Sequence, residues 1–411
     1  MTDSYDVAII GGGPAGAAAA TFLQNHGHTC VIVEKTTFPR YHVGESLIPH
    51  TYGTLDRLGL LDQLKQSDYP EKHSVRFVNP DNTSSDPFYF DEVIPGDGSR
   101  TWQVDRESFD TLCLENAAKA GATILTDTRV KSVVFEGNRA IGLSVQEADE
   151  PEHILSSKVV IDASGRASVI GHQLNLRTSV PGLRKATAWG YYKGGKRYEG
   201  RDAGETTIFT RADGSWFWYI PLPADIVSVG LVGDPDSVLR HGPGYEAILD
   251  TEIANTPQVA ERLETATRVG PARGYSEMSY VNRQMAGDGW LMIGDSAAFL
   301  DPIFSSGLYL ALASAELAAD SIHQALLNND CSAASIDAFR PALLGGVDVI
   351  RRLIFAFYDP DFSFGQFARN FPEHRAALID CLIGDVVNKD MTAFVEALES
   401  MSPEPPPLLA G

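Results

Sequence analysis

Cysteine is scarce, with four in 411 residues at Cys30, Cys113, Cys331 and Cys381, and no C-x-x-C pair among them. That scatter is neither a disulfide framework nor a zinc pattern; it fits a reducing, cytoplasmic setting with no metal site. Basic charge is also short. Lys and Arg number 33 against 54 Asp and Glu, a formal charge of −21 that argues against nucleic acid or an anionic membrane as partner. No apolar run approaches a membrane span, since the best, residues 308–319, is broken by Glu316. The N-terminus has no basic region and no cleavable apolar segment before the first strand, and no internal repeat is found. What is left is the composition of an ordinary globular enzyme, 44% hydrophobic and 21% charged. At 411 residues the expectation is a nucleotide-binding domain with a second, partly inserted unit.

The most informative stretch is residues 5–35. A β-rich run, Asp6-Val7-Ala8-Ile9-Ile10, stops at Gly11-Gly12-Gly13-Pro14-Ala15-Gly16, which matches G-x-G-x-x-G at Gly11, Gly13 and Gly16. Gly11 allows the tight turn, Gly13 lets a pyrophosphate approach the backbone, and Gly16 lets the next helix lie against the strand. That helix, predicted over residues 14–27, aims its first amides, around Pro14 and Ala15, at the phosphate. A second strand ends at Glu34, followed by Lys35, where a carboxylate can accept from ribose hydroxyls. The motif alone does not separate FAD from NAD.

Further along, residues 38–49 read as a loop leading into a helix over residues 49–61. Its Arg40, Gly44, Glu45 and Ser46 could serve a flavin or could simply cap the loop. Residues 73–78 and 87–90 read as a hairpin outside the nucleotide domain. Asp105 is a plausible N-cap for a helix to about residue 120, with Arg106 placed to reach a phosphate. Two later strands end in Asp162 with Gly165 and in Gly294-Asp295, carboxylates at the edge of a sheet where nucleotides collect. Residues 184–283 alternate with period two, as a mainly antiparallel sheet does. Within them Trp216, Trp218 and Ile220 share one strand face, read on its own as an aromatic core face. A loop through Pro302, Ser305, Ser306 and Gly307 opens a long helix to about residue 327 and forms an anion site.

Together these motifs resemble the flavin-dependent halogenases of the aromatic-hydroxylase superfamily, over roughly residues 1–385. Gly11 to Gly16 with Glu34, Asp162 with Gly165, and Gly294-Asp295 are flavin motifs shared with hydroxylases and geranylgeranyl-type reductases. More selective are Gly44-Glu45-Ser46-Leu47-Ile48-Pro49, the W-x-W-x-I-P run from Trp216 to Pro221, and F-x-x-P-x-x-S-x-G from Phe299 to Gly307. Lys72 falls about where the family's lysine is expected.

The resemblance implies an α/β fold: a Rossmann-type FAD-binding domain over residues 1–330, in segments of about 1–70, 101–180 and 284–330. It carries an inserted, mainly antiparallel substrate sheet (about 71–100 and 181–283), then a helical region (331–401) and a Pro-rich, disordered tail (402–411). It also implies FADH2, O2 and halide as reactants, with hypohalous acid passing to an electron-rich aromatic ring, free or tethered to a carrier protein. Lys72 and Ser305 are then catalytic, the amides of Ser306 and Gly307 hold halide, and Trp216 and Trp218 shield the substrate side. Phe304 stands where tryptophan halogenases have glutamate, which points to the phenol and pyrrole branch. There is no second glycine fingerprint, so a separate flavin reductase is expected to supply reduced FAD. The rival readings are an aromatic monooxygenase, a prenyl-chain reductase, or a flavin-binding protein without turnover.

Overall fold

The computed structural model describes residues 4–148, 150–240, 244–387 and 389–408. Its first layer is an eight-stranded sheet whose centre is Ser4–Ile10, flanked in parallel by Cys30–Val33 and His153–Asp162. Thr123–Leu125 and Trp290–Met292 extend it outward in the same direction. Residues Val7 to Ile9 and Val31 to Ile32 are fully buried, because a central parallel strand covered on both faces has no solvent side. The hairpin Thr128–Glu136 and Arg139–Glu147 adds antiparallel strands to the amino-terminal half of His153–Asp162.

Helix Pro14–Asn25 packs between this sheet and the long helix Ser306–Leu327. Ala17, Ala19, Ala315, Ala318 and Ala319 are all at 0% exposure, and their small side chains let the two helices and the sheet approach closely. A Cβ on Gly16 would fall 2.0 Å from the Gly11 carbonyl oxygen, so only glycine permits this crossing.

The second layer is a seven-stranded sheet in the order Thr267–Tyr275, Ala186–Lys193, Ile226–Gly233, Trp216–Leu222, Thr206–Thr210, Ser74–Val78, Phe88–Tyr89. All its pairings are antiparallel except Thr206–Thr210 with Ser74–Val78. Period-two alternation sends Phe217 and Tyr219 into a separate core under Ile248 and Leu249, while Trp216, Trp218 and Ile220 face the nucleotide layer. Helices Arg340–Tyr358, Phe364–Asn370, Arg375–Ile383 and Thr392–Glu399 complete the chain.

Two expectations change. The single helix over residues 49–61 is two short ones, Thr51–Arg57 and Leu61–Lys65, because Gly59 between them adopts φ +73. The tail expected to be disordered is docked over residues 402–408. Ser402 donates to Asp359 (2.9 Å), Glu404 pairs with Arg352 (3.0 Å), and the Pro406 carbonyl accepts from Arg351. Charged side chains on the Arg340–Tyr358 helix supply the partners that composition alone hides. Residues 409–411 lie outside the described residues.

Arg351 is 3% exposed and also pairs with Asp348. Arg351→Met should therefore free the tail. Limited proteolysis is expected to cleave residues 402–408 in the variant well before the wild type, with a fall of a few degrees in the melting midpoint; equal cleavage rates would contradict the docking.

Candidate active site

The parallel strands end side by side, with Ile10 in register with Val33 and Asp162, and Asp162 with Met292. Their following residues open a cavity of about 460 Å³ between the two sheets. Gly11, Gly13, Pro14, Ala15, Glu34, Lys35 and Arg40 line one end; Gly44, Glu45, Ser46, Arg106, Gly165, Asp295, Pro302, Ser305 and Gly307 line the rest. A Cβ on Gly13 would meet only the Arg40 guanidinium, at 3.3 Å, so the backbone there is bare toward the cavity, as a pyrophosphate requires. Glu34 accepts from the Gly12 amide (2.9 Å) and from Thr36, which fixes its carboxylate at the cavity edge.

Asp295 provides the second observation of fit. Burial pushes its carboxyl up to about 6 against the pull of Arg166 and Arg106. Among the described residues no group donates a hydrogen bond to that carboxylate, so it is poised to accept from ligand hydroxyls. These residues fit FAD.

One expected contact is placed elsewhere, and a second is at the cavity with most of its donors already committed. Asp162 is fully buried and does not line the cavity: its carboxylate accepts from the Ser164 amide and hydroxyl and from the Ile170 amide, bracing the turn that carries Gly165. Arg106 lines the cavity, but its guanidinium is spent on Asp110 (2.7 and 3.0 Å) and on the carbonyls of Val43 and Gly44 (2.8 and 3.1 Å). Asp110 also pairs with Arg40 at 3.2 Å. Asp110 went unnoticed in the sequence, although its i+4 spacing from Arg106 on a helix was a usable signal.

Glu45 lines the cavity with its carboxyl raised by burial and accepts from the Tyr191 hydroxyl at 2.7 Å. Tyr191 is linked to Tyr41 (3.1 Å), which accepts from the Trp189 indole (2.6 Å).

Trp216 and Trp218 form the wall on the substrate-sheet side. The core-face reading of this strand is thus half right: the two indoles are buried, and they also bound the cavity. Trp218 donates to Ser228 (3.0 Å), while Trp216 donates to the Tyr358 hydroxyl (2.9 Å), which donates in turn to Asp301 (2.9 Å). Asp301 also accepts from the Ile303 amide (3.0 Å), and burial pushes its carboxyl up to about 7. Tyr358, one of the dense C-terminal aromatics, and Asp301, missed in the sequence, therefore tie the tryptophan wall to the loop of Pro302 and Ser305. Ser305 itself takes a left-handed conformation, φ +53, turning the chain into the Ser306–Leu327 helix. Ser306 and Gly307 present the first amides of that helix, which have no intrahelical acceptor. Gly307 faces the main cavity and Ser306 a small apolar one behind it.

Lys72 is at 0% exposure and does not line the main cavity. It sits on strand Glu71–Lys72, paired with Thr101–Trp102, and donates to the Ser46 hydroxyl (2.9 Å) and the Leu47 carbonyl (3.3 Å). Burial lowers its pKa to about 7, and the distant Glu205 only partly offsets this. Ser46, expected at the cofactor, thus also holds the lysine.

A family model described as the FAD binding domain matches residues 4–339, which defines the class as a FAD-binding flavoprotein. The 1H-pyrrole-2-carbonyl-(peptidyl-carrier protein) chlorinase of Pseudomonas fluorescens (strain Pf-5) is 29% identical, covering 97% of this chain and 95% of its own. The corresponding brominase of Pseudoalteromonas luteoviolacea is 31% identical over 96% and 97%. The solved structure of the flavin-dependent brominase Bmp2 superposes with a TM-score of 0.88 at 28% identity, covering 97% and 98%. This chain belongs to the flavin-dependent halogenases. All four cysteines are free and buried, and no helix among the described residues is long and apolar enough to cross a membrane.

Asp301 yields a pH prediction. Its folded pKa of about 7 lies above the ordinary carboxylate value, so between the two the native state holds a proton the unfolded state has lost. Its contribution is fully present below the unfolded value and is lost as pH rises through the folded one, by up to about 1.4 kcal/mol per pH unit. Asp301→Asn should remove that slope. The difference in unfolding free energy between wild type and variant, measured by denaturant at pH 5 and pH 7, should change; a pH-independent difference would refute the assignment.

Proposed function

We propose that this halogenase takes FAD as FADH2, with O2 and a halide ion, and halogenates an electron-rich pyrrole-like or phenol-like ring. The single observation that carries this reading is the buried Lys72, held on Ser46 beside a cavity whose other end fits a flavin dinucleotide. Bound in reduced form, the cofactor would supply two of the four electrons that O2 takes up, halide supplying the other two as it becomes hypohalous acid. The chain's own part is positional. Gly11, Gly13, Gly16, Pro14 and Ala15 form the phosphate turn; Glu34, Lys35, Arg40 and Asp295 take the polar groups of the dinucleotide; the amides of Ser306 and Gly307 attract halide beside Ser305. Trp216 and Trp218 close the substrate side, and Lys72 supplies positive charge or a free amine where the ring reacts.

The two relatives matched over nearly their whole length act, by name, on a pyrrole group carried by a peptidyl-carrier protein. That supports a carrier-tethered pyrrole as the first substrate to test, with a free activated phenol as the second. The reading includes a separate flavin reductase as partner and the cytoplasm as the compartment. A monooxygenase would use the same FAD residues without Lys72 or the paired tryptophans. The deciding experiment mixes anaerobically reduced enzyme with O2, bromide and either substrate. Brominated product is expected; hydroxylation without bromination would overturn the proposal.

Two variants sharpen it. Gly13→Val places a side chain where the dinucleotide approaches, and purified variant should carry no FAD by absorbance; normal flavin content would count against the phosphate turn. Lys72→Met keeps the apolar stem and deletes the amine. Halogenated product is expected to fall by about a hundredfold or more while stopped-flow flavin reoxidation persists. Product at a near-wild-type rate would remove Lys72 from the chemistry.

A further inference from the structure

Lys72 has to influence a cavity that it does not line, and its hydrogen-bond partners among the described residues are the Ser46 hydroxyl and the Leu47 carbonyl. Ser46 does line that cavity, as does Thr206. Behind them lies Gln103, at 0% exposure, joined to Ser46 by an antiparallel backbone bridge that holds the two residues opposite each other. Building on the reading of Lys72 above, we propose that Ser46 relays a proton from Lys72 to hypohalous acid in the cavity, and that Gln103 is the positioning residue that turns the Ser46 hydroxyl toward it.

One end of the chain has a fixed direction. The Gln103 amide nitrogen lies 2.9 Å from the Gly204 carbonyl and 2.8 Å from the Thr206 hydroxyl oxygen. Rotating the amide by half a turn would set its oxygen against the Gly204 carbonyl, acceptor against acceptor, so the nitrogen must occupy this position. Thr206 therefore accepts from Gln103, and in the proposed relay its own proton goes to Ser46, 3.2 Å away, a contact in which either hydroxyl can donate. Ser46 then accepts from both Thr206 and Lys72, which fills its two lone pairs. Its remaining proton cannot point back along either bond. It points away from both, and the surface that Ser46 presents is the cavity. This orientation has a cost, because the Gln103 side-chain oxygen is buried without a partner among the described residues.

The transfer balances. As the ring carbon takes the halogen, the oxygen–halogen bond of hypohalous acid breaks and its electron pair stays on oxygen. That oxygen receives the Ser46 proton and leaves as water, Ser46 takes a proton from the Lys72 ammonium, and Lys72 becomes a neutral amine. The halogenated ring cation then loses its ring proton, which returns to Lys72 by the same hydroxyl or through solvent, giving the aryl halide and the ammonium again. A lysine brought down to about 7 by burial can give and regain that proton near neutral pH. The lysine need not enter the cavity.

The test measures halogenated product per flavin oxidised in single turnovers of the reduced holoenzyme, against pH and in deuterated water. Wild type should lose yield as pH rises through about 7 and show a solvent isotope effect on halogenation. Ser46→Ala should lower the yield about a hundredfold and Gln103→Met about tenfold, both without the isotope effect, and Ser46→Thr should restore it. Thr206→Val, nearly isosteric, breaks the same chain one bond later and should match Gln103→Met if the latter folds poorly. Yield that rises through pH 7 would favour a neutral amine and overturn the relay. So would a wild-type yield and pH profile in Ser46→Ala, Gln103→Met and Thr206→Val while Lys72→Met is inactive, and that pattern leaves the Lys72 reading standing. An active Lys72→Met would sink the underlying reading instead.

Discussion

The carboxylate of Asp110 holds the site together. It is at 0% exposure and carries two guanidinium groups, Arg106 in bidentate contact and Arg40 at 3.2 Å. Arg106 passes the constraint on by gripping the carbonyls of Val43 and Gly44, so the chain around residues 40–46 is fixed although it contains almost no regular structure. Glu45 and Ser46 follow at once, one held by Tyr191 and the other holding Lys72. Removing one member of such a buried pair leaves an uncompensated charge, at roughly 3–5 kcal/mol. The phosphate end of the cavity and the lysine thus share one electrostatic anchor on the Arg106–Lys119 helix.

A second constraint separates the two halves of the cavity. The strand Trp216–Leu222 is buried on both faces, one against the nucleotide layer and one against its own small core, so neither tryptophan can swing away without breaking a layer. The Trp216 to Tyr358 to Asp301 chain adds direction to this packing, since each hydroxyl or indole proton has one acceptor. It joins the substrate sheet, the C-terminal helices and the Pro302 loop through three side chains. A wall built this way is rigid where an oxidant has to be kept from water and from the wrong carbon.

What the sequence disclosed is what depends on neighbours in the chain. The turn from Gly11 to Gly16, the ends of the parallel strands, the Asp105 cap, which accepts from the Ser108 amide at 3.0 Å, and the face shared by Trp216 and Trp218 are all local patterns. Asp162 and Arg106 were read as ligand contacts because strand-end acids and helix-start arginines often are. Here nearby backbone amides and Asp110 claim them first, and that competition is settled only in three dimensions. Lys72 was visible through the family resemblance and not through its own surroundings, since nothing in residues 71–73 signals complete burial. Gln103 and the docked tail had no sequence signal, because their partners lie 101 and 55 positions away in the chain; Tyr358 stands out only as one of a dense run of aromatics, with its Trp216 partner 142 positions away.

The absence of an acid beside Lys72 explains more than any group that is present. Glu205, the carboxylate that acts on it electrostatically, is bound instead to Ser74 at 2.7 Å and to Arg76 at 2.7 Å. A carboxylate in contact would keep the ammonium charged at every physiological pH, strengthening its grip on an anion but denying it any exchange of protons. With hydroxyl and carbonyl neighbours alone, desolvation dominates and the lysine titrates near neutrality. The hydroxyls of Ser46 and Thr206 then lie between that lysine and the cavity, and a glutamine that never reaches the cavity donates to Thr206 from behind.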